Sequence, residues 1–327
     1  MSDLYNRILE AYTGYLRYLA DGGERVQLPP ALPKPEEFVG ETYVYASSLG
    51  KCPLLEAKRR MKVLETNPLP EIMKTGQLAM MQFGVRTAEV MQEALYWKYP
   101  DAKVEHRIFD PSRDVRLSGK PDIVLRNEFK WDVLEIKYRR GEYSKPYFSD
   151  VLQVMAYGWM LRRYYRNNPV LQNMYIIVLN SYFGNPQKHN PGFTLWSLEE
   201  QGDGYVVKNQ DGELWDDKMN TPENINVNKL LEEASWQLAY LTGEETGEPI
   251  KDWLNWNVRT YGNDCFWWDQ APKKYQKKYK GKTERTSLAR PLCPHFCHAP
   301  VEEIGDGFEV RVDEEGNYQF AKTFVPF

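Results

Sequence analysis

Three residues able to do chemistry sit in two apolar, strand-like runs. Asp122 stands in PDIVLR (Pro121–Arg126), and Glu135 and Lys137 stand in WDVLEIKY (Trp131–Tyr138). Residues two apart on a strand share a face, so Glu135 and Lys137 point together and Ile136 points away. The polar stretch NEFK between the runs predicts a β-hairpin. A hairpin of that length brings Asp122 opposite the Glu135 region, so two carboxylates converge with an ammonium beside them.

Hard oxygen ligands of this kind suit Mg²⁺ or Mn²⁺, which keeps several waters and takes a phosphate oxygen as a further ligand. Such an ion polarises a phosphodiester and lowers the pKa of an attacking water. Lys137 can orient that water or stabilise the charge growing on phosphorus, and the Ile136 carbonyl is placed to complete the metal shell. The plainer reading of the same pattern is a half-exposed hairpin with polar residues at alternate positions.

The neighbouring motifs favour the chemistry. Gly119-x-Pro121-Asp122, then Leu134-Glu135-Ile136-Lys137, then Gln153-Val-Met-Ala-Tyr157 follow in order. In this order they resemble the motifs of the PD-(D/E)XK nucleases, most closely the RecB-like exonuclease branch. The resemblance implies a restriction-endonuclease-like α/β core, a mixed sheet flanked by helices. It also implies that Gln153 and Tyr157, four apart on one helix, line the active site and contact the DNA backbone. That branch carries an acid or histidine on an earlier helix. Here the matching region is Phe83–Leu95, where Glu89 is taken as the further metal ligand and Glu93 is the other acid in reach.

Four cysteines, Cys52, Cys265, Cys293 and Cys297, flank that core. One before and three after is similar to the iron–sulfur subgroup of the branch, and SSLGKCPLLEAKRR (Ser47–Arg60) is similar to its Ser-x-x-x-x-Cys-Pro segment. The resemblance implies a [4Fe–4S] cluster joining the cysteine-bearing N- and C-terminal parts. A departure from the pattern is the 27 residues between Cys265 and Cys293. Zn²⁺ held with His295 or His298 is the rival.

The elements that must position these residues follow from periodicity. Helices are expected over Leu4–Tyr18, Pro53–Val63, Gly76–Tyr99, Ser149–Tyr165 and Val227–Leu241. Strands are expected over Val104–Asp110, Pro121–Arg126, Trp131–Tyr138 and Met174–Phe183, and Gly204–Trp215 reads as hairpin-like. Leu28–Phe38 is a Pro-rich connector. The expected division is 1–45 (helix and connector), 46–185 (nuclease core), 186–260 (accessory region) and 261–327 (basic, cysteine-bearing end).

The net charge of −4 exerts no global pull on nucleic acid, but charge is unevenly spread. Between Ala271 and Arg290 there are eight Lys or Arg against one acid. There Lys273, Lys274, Lys277, Lys278, Lys280 and Lys282 interleave with tyrosines, a pattern that would suit single-stranded DNA; a solvated basic loop is the alternative. Lys58, Arg59 and Arg60 offer a second basic face.

No apolar run reaches 18 residues and no signal segment opens the chain, so a cytoplasmic protein of a bacterial or phage-infected cell, without membrane contact, is expected. With no Walker A loop, unwinding would fall to a separate helicase or recombination partner. The expectation is a DNA exonuclease favouring single-stranded ends, with homo-oligomerisation open. A structure- or sequence-specific endonuclease and a non-catalytic DNA-end-binding protein are the alternatives.

Overall fold

The structure is a computed structural model; it describes residues 2–30, 42–50, 71–110, 115–127, 130–139, 144–164, 173–180, 192–202, 204–215, 225–242, 309–312 and 318–321. Cys52, Cys265, Cys293, Cys297, His295, His298, the Lys58–Arg60 face and the Lys273–Lys282 segment lie outside them, as does the helix expected over Pro53–Val63. The chain divides into two compact units. One comprises Met1–Gly50 and Leu78–Ser235, the other Lys51–Gln77 and Trp236–Phe327.

The first unit is built on a six-stranded mixed sheet. Its strands are β2 (Lys103–Val104), β5 (Ile123–Asn127), β6 (Lys130–Arg139), β7 (Asn173–Asn180), β8 (Phe193–Gln201) and β9 (Gly204–Asn209), in the spatial order β2-β5-β6-β7-β8-β9. Only β6 and β7 run parallel. A parallel pair needs a long crossover, and the helix Phe148–Tyr164 (α3) supplies it.

Alternation along each strand sorts side chains to two faces. Ile123, Leu125, Leu134, Ile136, Ile177, Leu179, Phe193 and Leu195 form one core with α1 (Ser2–Ala20) and α2 (Glu71–Lys98). Leu4, Ile8, Ala11 and Tyr15 recur at helical spacing on α1, and Met91, Ala94 and Leu95 on α2; all are 6% exposed or less. The alternate residues, among them Met174, face α3: a Cβ on Gly158 would meet the Met174 side chain.

A small second sheet holds the strand β1 (Val44–Tyr45) parallel to β4 (Leu117–Gly119), which pairs antiparallel with β3 (Ile108–Phe109). The chain therefore leaves one sheet at Gly119 and joins another at Ile123. Pro121 sits in this passage, where its missing N–H costs no ladder bond.

One expected strand is corrected. Val104–Asp110 is not continuous; it is divided between β2 in the large sheet and β3 in the small one. The break is at Glu105, whose φ of 48° is left-handed and incompatible with a strand. Its amide donates to the Asp122 carbonyl at 3.0 Å, and its carboxylate pairs with Lys120 Nζ at 2.6 Å. Residues 193–209 add two further strands to the sheet, and α4 (Val227–Thr242) follows. In the second unit, β10 (Glu309–Val312) pairs antiparallel with β11 (Tyr318–Ala321). Among the described residues, no helix is long and apolar enough to cross a membrane.

Candidate active site

The hairpin register fixes the relation between the two carboxylates. Ile123 pairs with Leu134 and Val124 with Val133, so the next position outward sets Asp122 opposite Glu135. Asp122 is anchored at both oxygens. Oδ2 accepts from the Ile136 amide at 2.6 Å and Oδ1 from Gln92 Nε2 on α2 at 2.9 Å. Desolvation by burial, then the Glu135 carboxylate, push its pKa well above the usual range, against the pull of Lys137 and the Ile136 amide.

Glu135 is 4% exposed. Its Oε1 accepts from Lys137 Nζ at 2.6 Å and from Gln153 Nε2 at 2.8 Å. Among the described residues, its Oε2 is buried without a hydrogen-bond partner. A buried, orphaned carboxylate oxygen is costly unless a cation or another donor meets it.

Lys137 Nζ also donates to Gln153 Oε1 at 2.8 Å and lies 3.8 Å from Asp150 Oδ1. Burial lowers its pKa, but Glu135, Asp150 and Asp122 outweigh that, and the net shift is upward. The side chain is therefore an ammonium at neutral pH, suited to holding negative charge rather than to taking a proton.

Gln153 and Tyr157 are successive on one face of α3 and both buried. Gln153 Nε2 donates to Tyr157 Oη at 2.6 Å, and that hydroxyl lies 3.3 Å from the Lys120 carbonyl. Burial, then the charge on Glu135, push the phenol well above its usual pKa, so it stays protonated. Gly119 makes room for this ring: a Cβ there would lie 2.8 Å from Tyr157 Cδ1 and 3.0 Å from Met160 Cε. Replacing Gly119 with alanine is expected to cost about 1–3 kcal/mol by overpacking, read as a fall in Tm, and Tyr157→Phe alone should not reproduce it.

The structure thus brings Asp122, Glu135, Ile136, Lys137, Gln153 and Tyr157 together. Glu89 pairs with Arg86 at 2.7 Å and lies 3.9 Å from Arg25. Glu93 accepts from Tyr15 Oη at 2.8 Å and pairs with Arg25. The α2 side chain that touches Asp122 is Gln92. It is a polar residue on the stripe Ala88, Met91, Leu95, and that intrusion into an apolar stripe was its only signal in the sequence. Asp150 also faces Lys137 unannounced; it accepts from the Tyr147 amide at 2.7 Å and pairs with Arg139.

Two facing carboxylates, of which Glu135 keeps one oxygen unbonded among the described residues, fit a hard divalent cation that keeps most of its waters. No group of three or more His, Cys, Asp or Glu side chains is gathered as a metal centre among the described residues, which is compatible with such a water-rich site.

Comparison with curated proteins gives no sequence match. A solved structure described as "Crystal structure of SSO0001" is similar at 13% identity, covering 80% of this chain and 96% of that one, with a TM-score of 0.33. The family model of the PD-(D/E)XK nuclease superfamily matches residues 52–252, more than half of the chain. This span contains every residue of the site, and the chain belongs to the PD-(D/E)XK nuclease superfamily.

Proposed function

We propose that the protein is a metal-dependent DNA exonuclease of the RecB-like type, acting from single-stranded ends. The observation that carries the nuclease reading is the buried Glu135 Oε2, without a partner among the described residues, on a carboxylate opposite Asp122 and bonded to Lys137. Asp122 and Glu135, with the Ile136 carbonyl, would hold Mg²⁺ or Mn²⁺. When bound, such an ion supplies Lewis-acid polarisation of the phosphate and a more acidic water.

The chain's own residues do the rest. The Lys137 ammonium offers positive charge and donors to the phosphate oxygens as negative charge grows there. Gln153 fixes that ammonium through its Oε1 and fixes Glu135 through its Nε2. Gln92 holds Asp122 from the other side. In-line attack of water on phosphorus forms one P–O bond and breaks another, releasing the alcohol end of the cut strand.

The exonuclease mode and the RecB-like branch rest on the order of the motifs. The [4Fe–4S] cluster on Cys52, Cys265, Cys293 and Cys297, with Zn²⁺ as its rival, rests on the cysteine pattern. The missing Walker A loop supports digestion from existing ends or action beside a separate helicase or recombination partner.

The test uses protein purified without oxygen, Mg²⁺ or Mn²⁺, and end-labelled single- and double-stranded DNA. Progressive shortening from one end is the expected result. Discrete internal products would replace the exonuclease with an endonuclease. Tight binding without any cleavage would overturn the catalytic reading. Iron, sulfide and zinc analysis of the same preparation decides the cluster.

A further inference from the structure

The Lys137 ammonium stands between two carboxylates, and the reading above uses only one of them. Glu135, Lys137 and Arg139 occupy alternate positions on β6 and so share one face of the strand. On that face Glu135 Oε1 accepts from Lys137 Nζ at 2.6 Å. On the other side of the same nitrogen, Asp150 Oδ1 of α3 lies at 3.8 Å. Asp150 is 6% exposed, so its charge is almost wholly removed from water.

The Asp150 carboxylate is fixed in place. It stands in the first turn of α3, where its Oδ2 accepts from the Tyr147 amide at 2.7 Å and its own amide donates to the Tyr147 carbonyl at 2.9 Å. Arg139 pairs with the same Oδ2. That guanidinium also lies over the Tyr147 ring at 4.0 Å and donates to the Tyr138 carbonyl at 3.1 Å. Capping and pairing thus both fall on Oδ2, and Oδ1 is the oxygen turned toward Lys137. Their separation is about 1 Å longer than a charge-assisted hydrogen bond.

Glu135 cannot serve an ammonium and a divalent cation equally. Two positive charges on one carboxylate repel, most strongly where water is scarce. An ammonium leaving Glu135 with nowhere to go would become a buried charge without its partner. Asp150 Oδ1 offers a second acceptor within a short move, and Gln153 Oε1, bonded to Nζ at 2.8 Å, lies close enough to follow it. The geometry points to Asp150 as the positioning residue that takes over the Lys137 ammonium when a divalent cation occupies Glu135. This assignment rests on the nuclease reading and deepens it. The lysine has two positions, on Glu135 without the cation and on Asp150 with it, and the second keeps its charge beside the phosphate. Asp150 acts through Lys137 and not on the reacting atoms.

The experiment measures cation binding without catalysis. Full-length protein stripped of divalent ions is titrated with Mn²⁺, and the free ion is counted by electron paramagnetic resonance. Asp122→Asn supplies the background from other acids. Asp150→Asn keeps an acceptor for the Tyr147 amide but carries no charge to receive the ammonium. Its Mn²⁺ dissociation constant is expected to rise about tenfold, the scale of one hydrogen bond to a charged group. In a Lys137→Met background the same substitution should leave Mn²⁺ binding unchanged, because no ammonium has to move. A direct pull of Asp150 on the cation would instead weaken binding equally in both backgrounds. A capping or pairing role alone would lower Tm and leave the Mn²⁺ constant where it was. Asp150→Asn also leaves the Arg139 guanidinium without its carboxylate, so the substitution is made a second time together with Arg139→Gln. That double variant keeps the net charge and should show the same weakening.

Equal weakening with and without Lys137, or an unchanged Mn²⁺ constant in both Asp150 variants, overturns the assignment. Metal-dependent hydrolysis of thymidine 5′-(p-nitrophenyl phosphate) by the wild type is followed in parallel. Hydrolysis with an unchanged Mn²⁺ constant in the variants leaves the nuclease reading standing without the transfer of Lys137 to Asp150. The expected Mn²⁺ pattern without hydrolysis keeps the transfer and removes the enzyme. Wild-type Mn²⁺ binding no greater than that of Asp122→Asn overturns both.

Discussion

Lys137→Ala will lower metal-dependent DNA hydrolysis by about 10²- to 10³-fold, the usual cost of removing one group that stabilises charge in the transition state. The loss should appear in turnover, since the ammonium is bonded to Glu135 and Gln153. The substitution has a second consequence that a merely structural lysine would not produce. Without the ammonium, Glu135 is a buried carboxylate held by Gln153 alone, and removing one partner of a buried pair is destabilising. A divalent cation restores the missing charge at the same carboxylate. Addition of Mn²⁺ should therefore raise the Tm of Lys137→Ala by more than it raises that of the wild type. Lys137→Met, which keeps the bulk, should show the same activity loss and the same enlarged Mn²⁺ effect. Full activity in either variant would remove Lys137 from the chemistry.

The local pattern was enough to place the hairpin. Two short apolar runs joined by the polar stretch NEFK marked a hairpin, and the observed register, with Asn127 paired to Lys130, sets Asp122 opposite Glu135. The α3 helix was marked by a long apolar stretch without proline rather than by one apolar stripe, since Val151, Leu152, Val154, Met155, Ala156, Met160 and Leu161 are buried on all its faces. What escaped depends on contacts distant in sequence. Glu105 breaks a run that looks continuous, since its left-handed backbone is held by Asp122 and Lys120, 15 or more positions away. Gln92 reaches Asp122 across 30 positions, and a glutamine on a helix carries no chemical signature by itself. The strand β8 was not expected at all; it joins the sheet through its pairing with β7, while β9 falls within the stretch Gly204–Trp215 read as hairpin-like.

Asp122→Asn is expected to abolish hydrolysis, by about 10³-fold or more, and yet to stabilise the metal-free protein. The activity loss follows because a neutral amide cannot supply the charge that holds a hard cation, and several kcal/mol of Lewis-acid assistance go with it. The stability gain follows from linkage. Burial first, and then the Glu135 carboxylate, raise the Asp122 pKa above its unfolded value. The folded state therefore holds a proton that the unfolded chain has already released, and stability falls as pH rises from the ordinary carboxylate range through the raised value. Asparagine does not titrate, and its amide can accept from the Ile136 amide and donate to a reoriented Gln92. In EDTA the variant's advantage should be smallest at acid pH and grow toward neutral pH, reaching about 1 kcal/mol, a common stability gain when a functional residue is neutralised. Mn²⁺ should reverse the order: the wild type gains stability by about 2.7 kcal/mol when the ion is present at 100 times its dissociation constant, and the variant gains little. Thermal melts at acid and neutral pH, each with and without Mn²⁺, read all four conditions. A variant that is less stable than wild type in EDTA at neutral pH would mean that the Asp122 carboxylate is a structural anchor rather than a charge kept in place for a cation.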